Sequence, residues 1–241
     1  MIDRPRKVNP TPAPMRASAL DSAASEAVPQ MTVFICGPFG AGKSTVTRFV
    51  TDELKERGHE VCTIILDVIG HELLDSDEKL CDILVKSFGE QILAADGRID
   101  RRALAAAGFA DAASRTALNA ITHPRILTRA VEQLAEYADA DLCVFEAPLP
   151  FSTLECVPGY GSEYLREAHE HGAIVAVNAP RKLRMQRVRA KGFTITDAQA
   201  RMAAQPDEAV YLSDADYRLD NVDDIAALHQ AVTHMVDALC L

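Results

Sequence analysis

The segment Gly37-Pro38-Phe39-Gly40-Ala41-Gly42-Lys43-Ser44-Thr45 decides the fold of this chain. It fits the pattern G-x-x-x-x-G-K-[ST], in which glycines let the backbone wrap around an anion with successive N–H groups pointing inward. An apolar run at residues 32–36 predicts a buried strand before the segment, and a helical pattern at residues 43–57 follows it. Because strand, glycine-rich turn and helix come in this order, the segment predicts a phosphate-binding loop and not a chance turn.

The residues of this loop have separate tasks in binding ATP. Lys43 would reach the β- and γ-phosphates, the Ser44 hydroxyl would ligate Mg²⁺, and Thr45 would bind the α-phosphate. The complete predicted nucleotide-binding set is Gly37, Gly40, Ala41, Gly42, Lys43, Ser44 and Thr45. The sequence therefore predicts ATP and Mg²⁺ as cofactors. It lacks the Asn-Lys-x-Asp signal of guanine recognition, which argues against a switch GTPase.

The rest of the chain alternates short apolar runs with longer helical patterns. Four further strands are predicted, at residues 61–66, 142–145, 173–177 and 217–219. Helices are predicted between the second and third strands up to residue 137, and at residues 180–190, 197–204 and 223–239. The strands are continuously apolar and not alternating, which is typical of a parallel sheet buried on both faces. The fold class is therefore α/β, with a P-loop NTPase-type parallel sheet and flanking helices.

Composition narrows the class of function and the compartment. The 241 residues carry a formal net charge of −10, which argues against a nonspecific nucleic-acid binder. The six cysteines form no Cys-x-x-Cys pair and fit reduced thiols in the cytoplasm. No stretch approaches the roughly 18 consecutive apolar residues of a membrane helix, so we expect no membrane partner.

Residues 1–30 are rich in proline, alanine and serine and predict a disordered extension ahead of a kinase domain at residues 31–241. A transit peptide is the alternative, and Asp3, Asp21 and Glu26 count against it.

Asp67 ends the predicted second strand and so lies at the carboxyl edge of the sheet, where ligands of open α/β folds bind. A carboxylate there could accept the proton of an attacking hydroxyl or help to hold Mg²⁺. The alternative is an N-cap for a helix at residues 68–74, and both roles could coexist.

From Asp67 onward the sequence resembles the dephospho-coenzyme A kinase family. Asp67-Val68-Ile69-Gly70-His71-Glu72-Leu73-Leu74 is similar to the segment after the family's second strand, with Asp67 matching the second aspartate of Asp-Ala-Asp. Other similar blocks, in the expected order, are Ala95-Asp96-Gly97-Arg98-Ile99-Asp100-Arg101-Arg102-Ala103-Leu104, Leu118-Asn119-Ala120-Ile121-Thr122-His123-Pro124, Pro148-Leu149-Pro150-Phe151 and Arg201-Met202-Ala203-Ala204-Gln205. The resemblance extends from about residue 32 to residue 221.

This resemblance implies ATP-dependent phosphorylation of the ribose 3′-hydroxyl of dephospho-coenzyme A, the last step of coenzyme A biosynthesis. It implies a helical substrate-binding subdomain at residues 68–138 and a short lid at residues 181–206. Arg187 matches the lid arginine that contacts phosphates, and Lys43, Asp67 and Arg187 form the expected catalytic set. Asp67 and Ser44 are the expected metal ligands. The oligomeric state is expected to be a monomer or a weak homo-oligomer.

Several assignments leave two interpretations open. The basic helix that contains Arg187 is either a phosphate-binding lid or a solvated face. Arg101 and Arg102 either pair with the phosphates of the acceptor or form structural salt bridges. His123, before Pro124, either caps or ends a helix or touches the substrate.

Some positions depart from the family pattern. Ile65 replaces the first aspartate, Ser152 replaces a glutamate, Lys191 replaces a second lid arginine, and Pro38-Phe39 replaces the usual Gly-Ile. Glu146, at the end of the preceding strand, could supply a carboxylate from another place. These departures leave two alternatives: a kinase of another small acceptor, such as a nucleoside or nucleotide, and a nucleotide-binding regulator without turnover.

Overall fold

The sheet is the framework of the molecule. The computed structural model describes residues 29, 31–137, 139–154, 156–157, 162–239 and 241. Within these residues, five strands form one sheet: β1 (Met31–Cys36), β2 (Val61–Ile65), β3 (Leu142–Glu146), β4 (Ala173–Asn178) and β5 (Tyr217–Asp220). Every pairing is parallel and the order is β2-β3-β1-β4-β5, which confirms the predicted sheet. The predicted extension at residues 1–30 lies outside the described residues except for Pro29.

The register brings the strand ends together at one edge. β1 is central and pairs with β3 on one side and β4 on the other. Ile35 of β1 and Ile65 of β2 both pair with Glu146, the last residue of β3. The phosphate-binding loop that follows β1 therefore emerges beside the ends of β2 and β3.

Helices cover both faces of this sheet and extend beyond it. They are α1 (Lys43–Glu56), α2 (Leu66–Ser76), α3 (Glu78–Phe88), a short 3-10 helix (Glu90–Ile92), α4 (Arg101–Gly108), α5 (Ala112–Glu136), α6 (Phe151–Leu154), α7 (Ser162–Glu170), α8 (Arg181–Ala190), α9 (Ile195–Ala204), α10 (Glu208–Ser213) and α11 (Ile225–Ala238). Of these, α6, α7 and α10 were not predicted. Among the described helices, none is long and apolar enough to cross a membrane.

The apolar core has three main parts. Alternate residues of β1 point to opposite faces, so Phe34 belongs to the cluster under α5, α6 and α7 while Ile35 belongs to the cluster under α1 and α11. A third cluster lies among the helices between β2 and β3. Its buried members are Leu80, Leu84, Ile92, Ile99, Leu104 and Leu118. The helical region thus has a small core of its own.

Two local predictions are wrong. The second strand ends at Ile65, and Leu66 and Asp67 form the first turn of α2, so Asp67 is not the N-cap. Asp67 instead adds a negative charge where the helix dipole favours one. Nor does His123 cap or end a helix, because α5 continues through Pro124. The buried side of α5 continues from Leu118 to Leu134, and this packing offsets the backbone hydrogen bond that proline lacks.

Candidate active site

The phosphate-binding loop connects β1 to α1 and presents the N-terminus of that helix. Gly42 precedes α1 with φ of 104°, and no side chain caps the first helical N–H groups. These N–H groups and the positive end of the helix dipole favour an anion. A Cβ atom on Gly42 would lie 2.2 Å from Nδ2 of Asn221, so the positive φ and the close approach both require glycine.

Lys43 is the positive charge at the centre of this loop. Its side chain is buried, and its Nζ donates to the carbonyl oxygen of Gly37 at 3.0 Å. Burial lowers the pKa of Lys43, while the carboxylates of Asp67 and Glu146 act in the opposite direction. The ammonium group is therefore held near two carboxylates and next to the loop that would bind phosphate.

Ser44 and Glu146 form a site whose chemistry suits Mg²⁺. The Ser44 hydroxyl donates to Oε1 of Glu146 at 2.9 Å, while the buried Oε2 has no hydrogen-bond partner among the described residues. In the part of the chain that the structure describes, no group of three or more His, Cys, Asp or Glu side chains could hold a metal by itself. A serine, one carboxylate and substrate phosphates are the ligand set that Mg²⁺ commonly takes. The contact was not predicted, because 102 residues separate its partners.

Asp67 is exposed in the first turn of α2 and lines a cavity. Its charge raises the pKa of Lys43, so the two groups lie within electrostatic range. The hydrogen-bond partner of Ser44 is Glu146 and not Asp67. The predicted participation of Asp67 in metal binding stays a prediction.

The cavity has a volume of about 270 Å³ and lies between the strand ends and the helical region. Its walls come mainly from α2, α4, α5 and the loop at Pro148-Leu149, and Asp67 and Arg201 also line it. His123 and Arg101, two of the predicted substrate-binding residues, also line the cavity. The cavity is therefore a largely apolar chamber that contains Asp67, whose carboxylate lies within electrostatic range of Lys43 in the phosphate loop.

The three predicted substrate residues differ in their surroundings. Burial lowers the pKa of His123. Arg101 pairs with Asp75 and donates to the carbonyl oxygen of His71, which is the salt bridge that the sequence left as an alternative. Both partners of that bridge are about half exposed, so the bridge stabilises little and does not prevent a second contact. Arg102 is exposed and does not line the cavity.

Arg187 of α8 lies against the phosphate loop. Its guanidinium donates to the carbonyl oxygen of Ala41 at 3.2 Å and to both oxygens of Asn221, at 3.1 and 2.9 Å. Asn221 in turn donates to the same Ala41 carbonyl at 2.8 Å. Burial lowers the pKa of Arg187. The predicted lid arginine thus contacts the loop directly at Ala41 and indirectly through Asn221, the residue after β5.

Gln205 and Arg184 connect the loop to the lid region, and neither was predicted as a site residue. Gln205 accepts from the backbone N–H of Phe39 at 2.6 Å and donates to the carbonyl oxygen of Pro148 at 3.3 Å. Arg184 is buried against Glu208 and the carbonyl oxygen of Ala179, so its role is structural. The only sequence signal for Gln205 was its place in the block of residues 201–205.

Comparison with known proteins identifies the family of this chain. The family model described as dephospho-CoA kinase matches residues 31–227. The chain belongs to the dephospho-CoA kinase family. Dephospho-CoA kinase of Methylococcus capsulatus is 32% identical over 84% of this chain and 93% of the relative, and that of Corynebacterium jeikeium is 31% identical over 84% and 96%.

The fold of this dephospho-CoA kinase family member also occurs among solved structures. The crystal structure of TT1252 from Thermus thermophilus superposes with a TM-score of 0.62 at 28% identity. The match covers 88% of this chain and 98% of that one. The predicted family, α/β fold class and ATP-dependent kinase class are therefore confirmed.

Proposed function

We propose that this kinase transfers the γ-phosphoryl group of ATP to the ribose 3′-hydroxyl of dephospho-CoA, giving CoA and ADP. The observation that carries the proposal is the position of Asp67, which lines the cavity and lies within electrostatic range of Lys43 in the phosphate loop. Relatives named for this activity span more than four fifths of the chain, which supports the same acceptor.

The reaction would be an in-line displacement at phosphorus. Asp67 orients the 3′-hydroxyl and accepts its proton as the oxygen bonds to the γ-phosphorus. The bond between that phosphorus and the β–γ bridging oxygen breaks, and ADP leaves. Lys43 and the loop N–H groups hold the phosphates in line, so positioning and electrostatics supply most of the rate.

The ATP phosphates would be held with Mg²⁺ at Ser44 and Glu146, with Arg187 beside the loop. Bound there, Mg²⁺ would neutralise part of the phosphate charge. The backbone set at Gly37, Gly40, Ala41 and Gly42, together with Thr45, would complete the nucleotide contacts.

The helical region at residues 68–138 would bind the acceptor and the segment at 181–206 would act as the lid. We assign contacts with dephospho-CoA to His123 and Arg101, which line the cavity, whereas the contact predicted for Arg102, which does not line it, stays a prediction. Excluding water from the closed site would prevent hydrolysis of ATP. The described cysteines are free thiols, which supports a cytoplasmic location.

A coupled ADP-release assay with Mg-ATP tests the acceptor. Dephospho-CoA would be compared with uridine, pantothenate and nucleoside monophosphates. Saturable turnover with dephospho-CoA alone is the expected result. Turnover with another acceptor only would show that the departures at Ile65, Ser152 and Lys191 have changed the substrate. ATP binding without turnover on any acceptor would favour a regulator.

A further inference from the structure

Arg201, which lines the cavity, is held in a cage of three aromatic rings. Its guanidinium carbon lies 5.8 Å from the ring centroid of Phe39, 5.5 Å from that of Phe109 and 5.1 Å from that of Phe193. The rings come from the phosphate loop, the end of α4 and the turn between α8 and α9. These separations are those of cation–π contacts. The cage thus joins three parts of the active site around one positive charge.

The guanidinium of Arg201 has no hydrogen-bond acceptor among the described residues. No hydrogen bond or ion pair reaches it there, whereas Arg184 and Arg187 both donate to backbone carbonyls. Burial lowers the pKa of Arg201, and the charges of Asp67 and Asp197 act in the opposite direction. Because Arg201 is half-buried and its charged N–H donors are not used by protein acceptors, this arrangement leaves them available to an anionic ligand in the cavity.

The position of Arg201 identifies which anion it would meet. It lines the same cavity as Asp67, and the charge of Asp67 influences both Arg201 and Lys43. Two cations therefore lie within electrostatic range of the carboxylate assigned to the acceptor hydroxyl. The group that passes between ATP and that hydroxyl carries negative charge on its equatorial oxygens.

Phe39 is fixed firmly enough to position this cation. Its backbone N–H donates to Gln205 at 2.6 Å, and its carbonyl oxygen accepts from Arg184 at 3.4 Å. Its ring packs edge-on against Phe193, with centroids 5.2 Å apart and an interplanar angle of 82°. The hydrogen bonds thus hold the backbone of Phe39, and the contact with Phe193 supports its ring beside Arg201.

We propose that Arg201 binds the γ-phosphoryl group of ATP during transfer and that Phe39 is its positioning residue. The identity of the acceptor in this inference rests on the proposed function. The contact between Arg201 and the γ-phosphate of ATP does not depend on it. It gives a role to the Phe39 side chain at a position where the family usually has a smaller residue. The second arginine expected at Lys191 is supplied from α9 instead.

The proposed role of Arg201 is tested by the steady-state kinetics and the nucleotide affinity of the Arg201→Ala variant. We expect kcat to fall about 100- to 1,000-fold, as for removal of one electrostatic donor from a transition state. The preference for ATP over ADP in equilibrium binding should fall at least about tenfold, because a charge-assisted contact with the γ-phosphate is lost. Free guanidinium should restore part of kcat in this variant, and tetramethylammonium should not.

The proposed positioning role of Phe39 is tested by a double-mutant cycle that combines Phe39→Leu with Arg201→Ala. We expect Phe39→Leu alone to lower kcat about tenfold, within the range of a partly desolvated cation–π contact. In the Arg201→Ala background the same substitution should have no further effect on kcat. Arg48→Ala is the matched control, because Arg48 lies 5.1 Å from the Phe49 ring on the exposed side of α1, away from the cavity. Its kcat and ATP preference should equal those of the wild type.

Three outcomes would overturn the proposal. An unchanged preference for ATP over ADP in a folded Arg201→Ala variant would remove the γ-phosphoryl contact. A raised KM for the acceptor with unchanged kcat would place Arg201 on the acceptor's own phosphates. An equal effect of Phe39→Leu in both backgrounds would show that Phe39 acts on the loop independently. If the wild type fails to use dephospho-CoA, the affinity measurement still decides the role of Arg201 and only the proposed acceptor is lost.

Discussion

At the scale of single residues, Asp67 is the group on which the proposed chemistry depends most directly. It lies in the first turn of α2, at the mouth of the cavity and within electrostatic range of Lys43. Replacing it by asparagine keeps the shape but removes the proton acceptor. We expect Asp67→Asn to lower kcat about 100- to 10,000-fold, the usual contribution of a positioned general base. ADP-release kinetics would measure this loss.

The control for this variant lies on the same helix. Glu72 is exposed on α2 and does not line the cavity, so Glu72→Gln should retain full kcat. ATP binding by Asp67→Asn, followed by calorimetry, should remain near that of the wild type. A kcat near wild type for Asp67→Asn would show that the proposed base role is wrong.

Glu146 is the residue whose replacement should change the response to Mg²⁺. Its Oε1 accepts from Ser44, and its buried Oε2 has no partner in the part of the chain that the structure describes. We expect Glu146→Gln to raise the Mg²⁺ concentration for half-maximal activity by about tenfold or more, in line with the loss of a group that orients metal ligands. The measurement is a Mg²⁺ titration of ADP release at fixed ATP. Asp52→Asn, on the exposed side of α1, should leave the titration unchanged.

Some of these residues were predictable from sequence and others were not, for a physical reason. Lys43 and Ser44 act with their immediate neighbours, so their spacing in the chain identifies them. Glu146 and Asn221 act on the same loop from 102 and 180 residues away, and only the sheet order and register bring them close. No pattern within one segment could have paired them.

At the scale of elements, α5 is the helix that sequence rules described least well. A proline normally ends a helix or kinks it, and so Pro124 predicted a boundary. The 25-residue helix instead continues through it, because its buried residues pack both against the sheet and within the helical region. The consequence is that His123 lies in mid-helix and faces the cavity.

The environment of His123 predicts how stability changes with pH. Burial lowers its pKa in the folded protein below the value of about 6.5 for an unfolded chain. Above that pH neither state is protonated. As the pH falls below it, the unfolded chain binds a proton that the folded protein resists, so the free energy of unfolding decreases. Urea denaturation between pH 7.5 and pH 5.5 should show this decrease.

His123→Gln isolates the effect, because glutamine is polar but does not titrate in this range. The wild type should lose more unfolding free energy than the variant between the two pH values. Parallel pH profiles for the two proteins would contradict the assignment of a buried neutral histidine. If the two proteins differ in free energy of unfolding by the same amount at both pH values, the difference reports packing and not protonation.

At the scale of the whole molecule, the separate cores predict separate responses to the two substrates. The sheet clusters support the phosphate loop, and the third cluster supports the walls of the cavity. The α/β class was predictable because continuous apolar strands alternate with helices. The helical region was located by family resemblance, but its own core was not, because that core depends on how α3, α4 and α5 meet.

Hydrogen exchange can therefore assign each substrate to its region. A nonhydrolysable ATP analogue should slow exchange mainly in α1 and α8, since the loop and Arg187 would hold the phosphates. Dephospho-CoA should slow exchange mainly in α4 and α5, whose residues line the cavity. Regions with small cores open more readily, so the unliganded α3 and α4 should exchange faster than the sheet.

If the ATP analogue protected α4 and α5 as strongly as dephospho-CoA does, the acceptor site would not lie in the helical region. The Arg201→Ala variant should keep the protection by dephospho-CoA and lose part of that by the ATP analogue, because its proposed partner is the γ-phosphate alone.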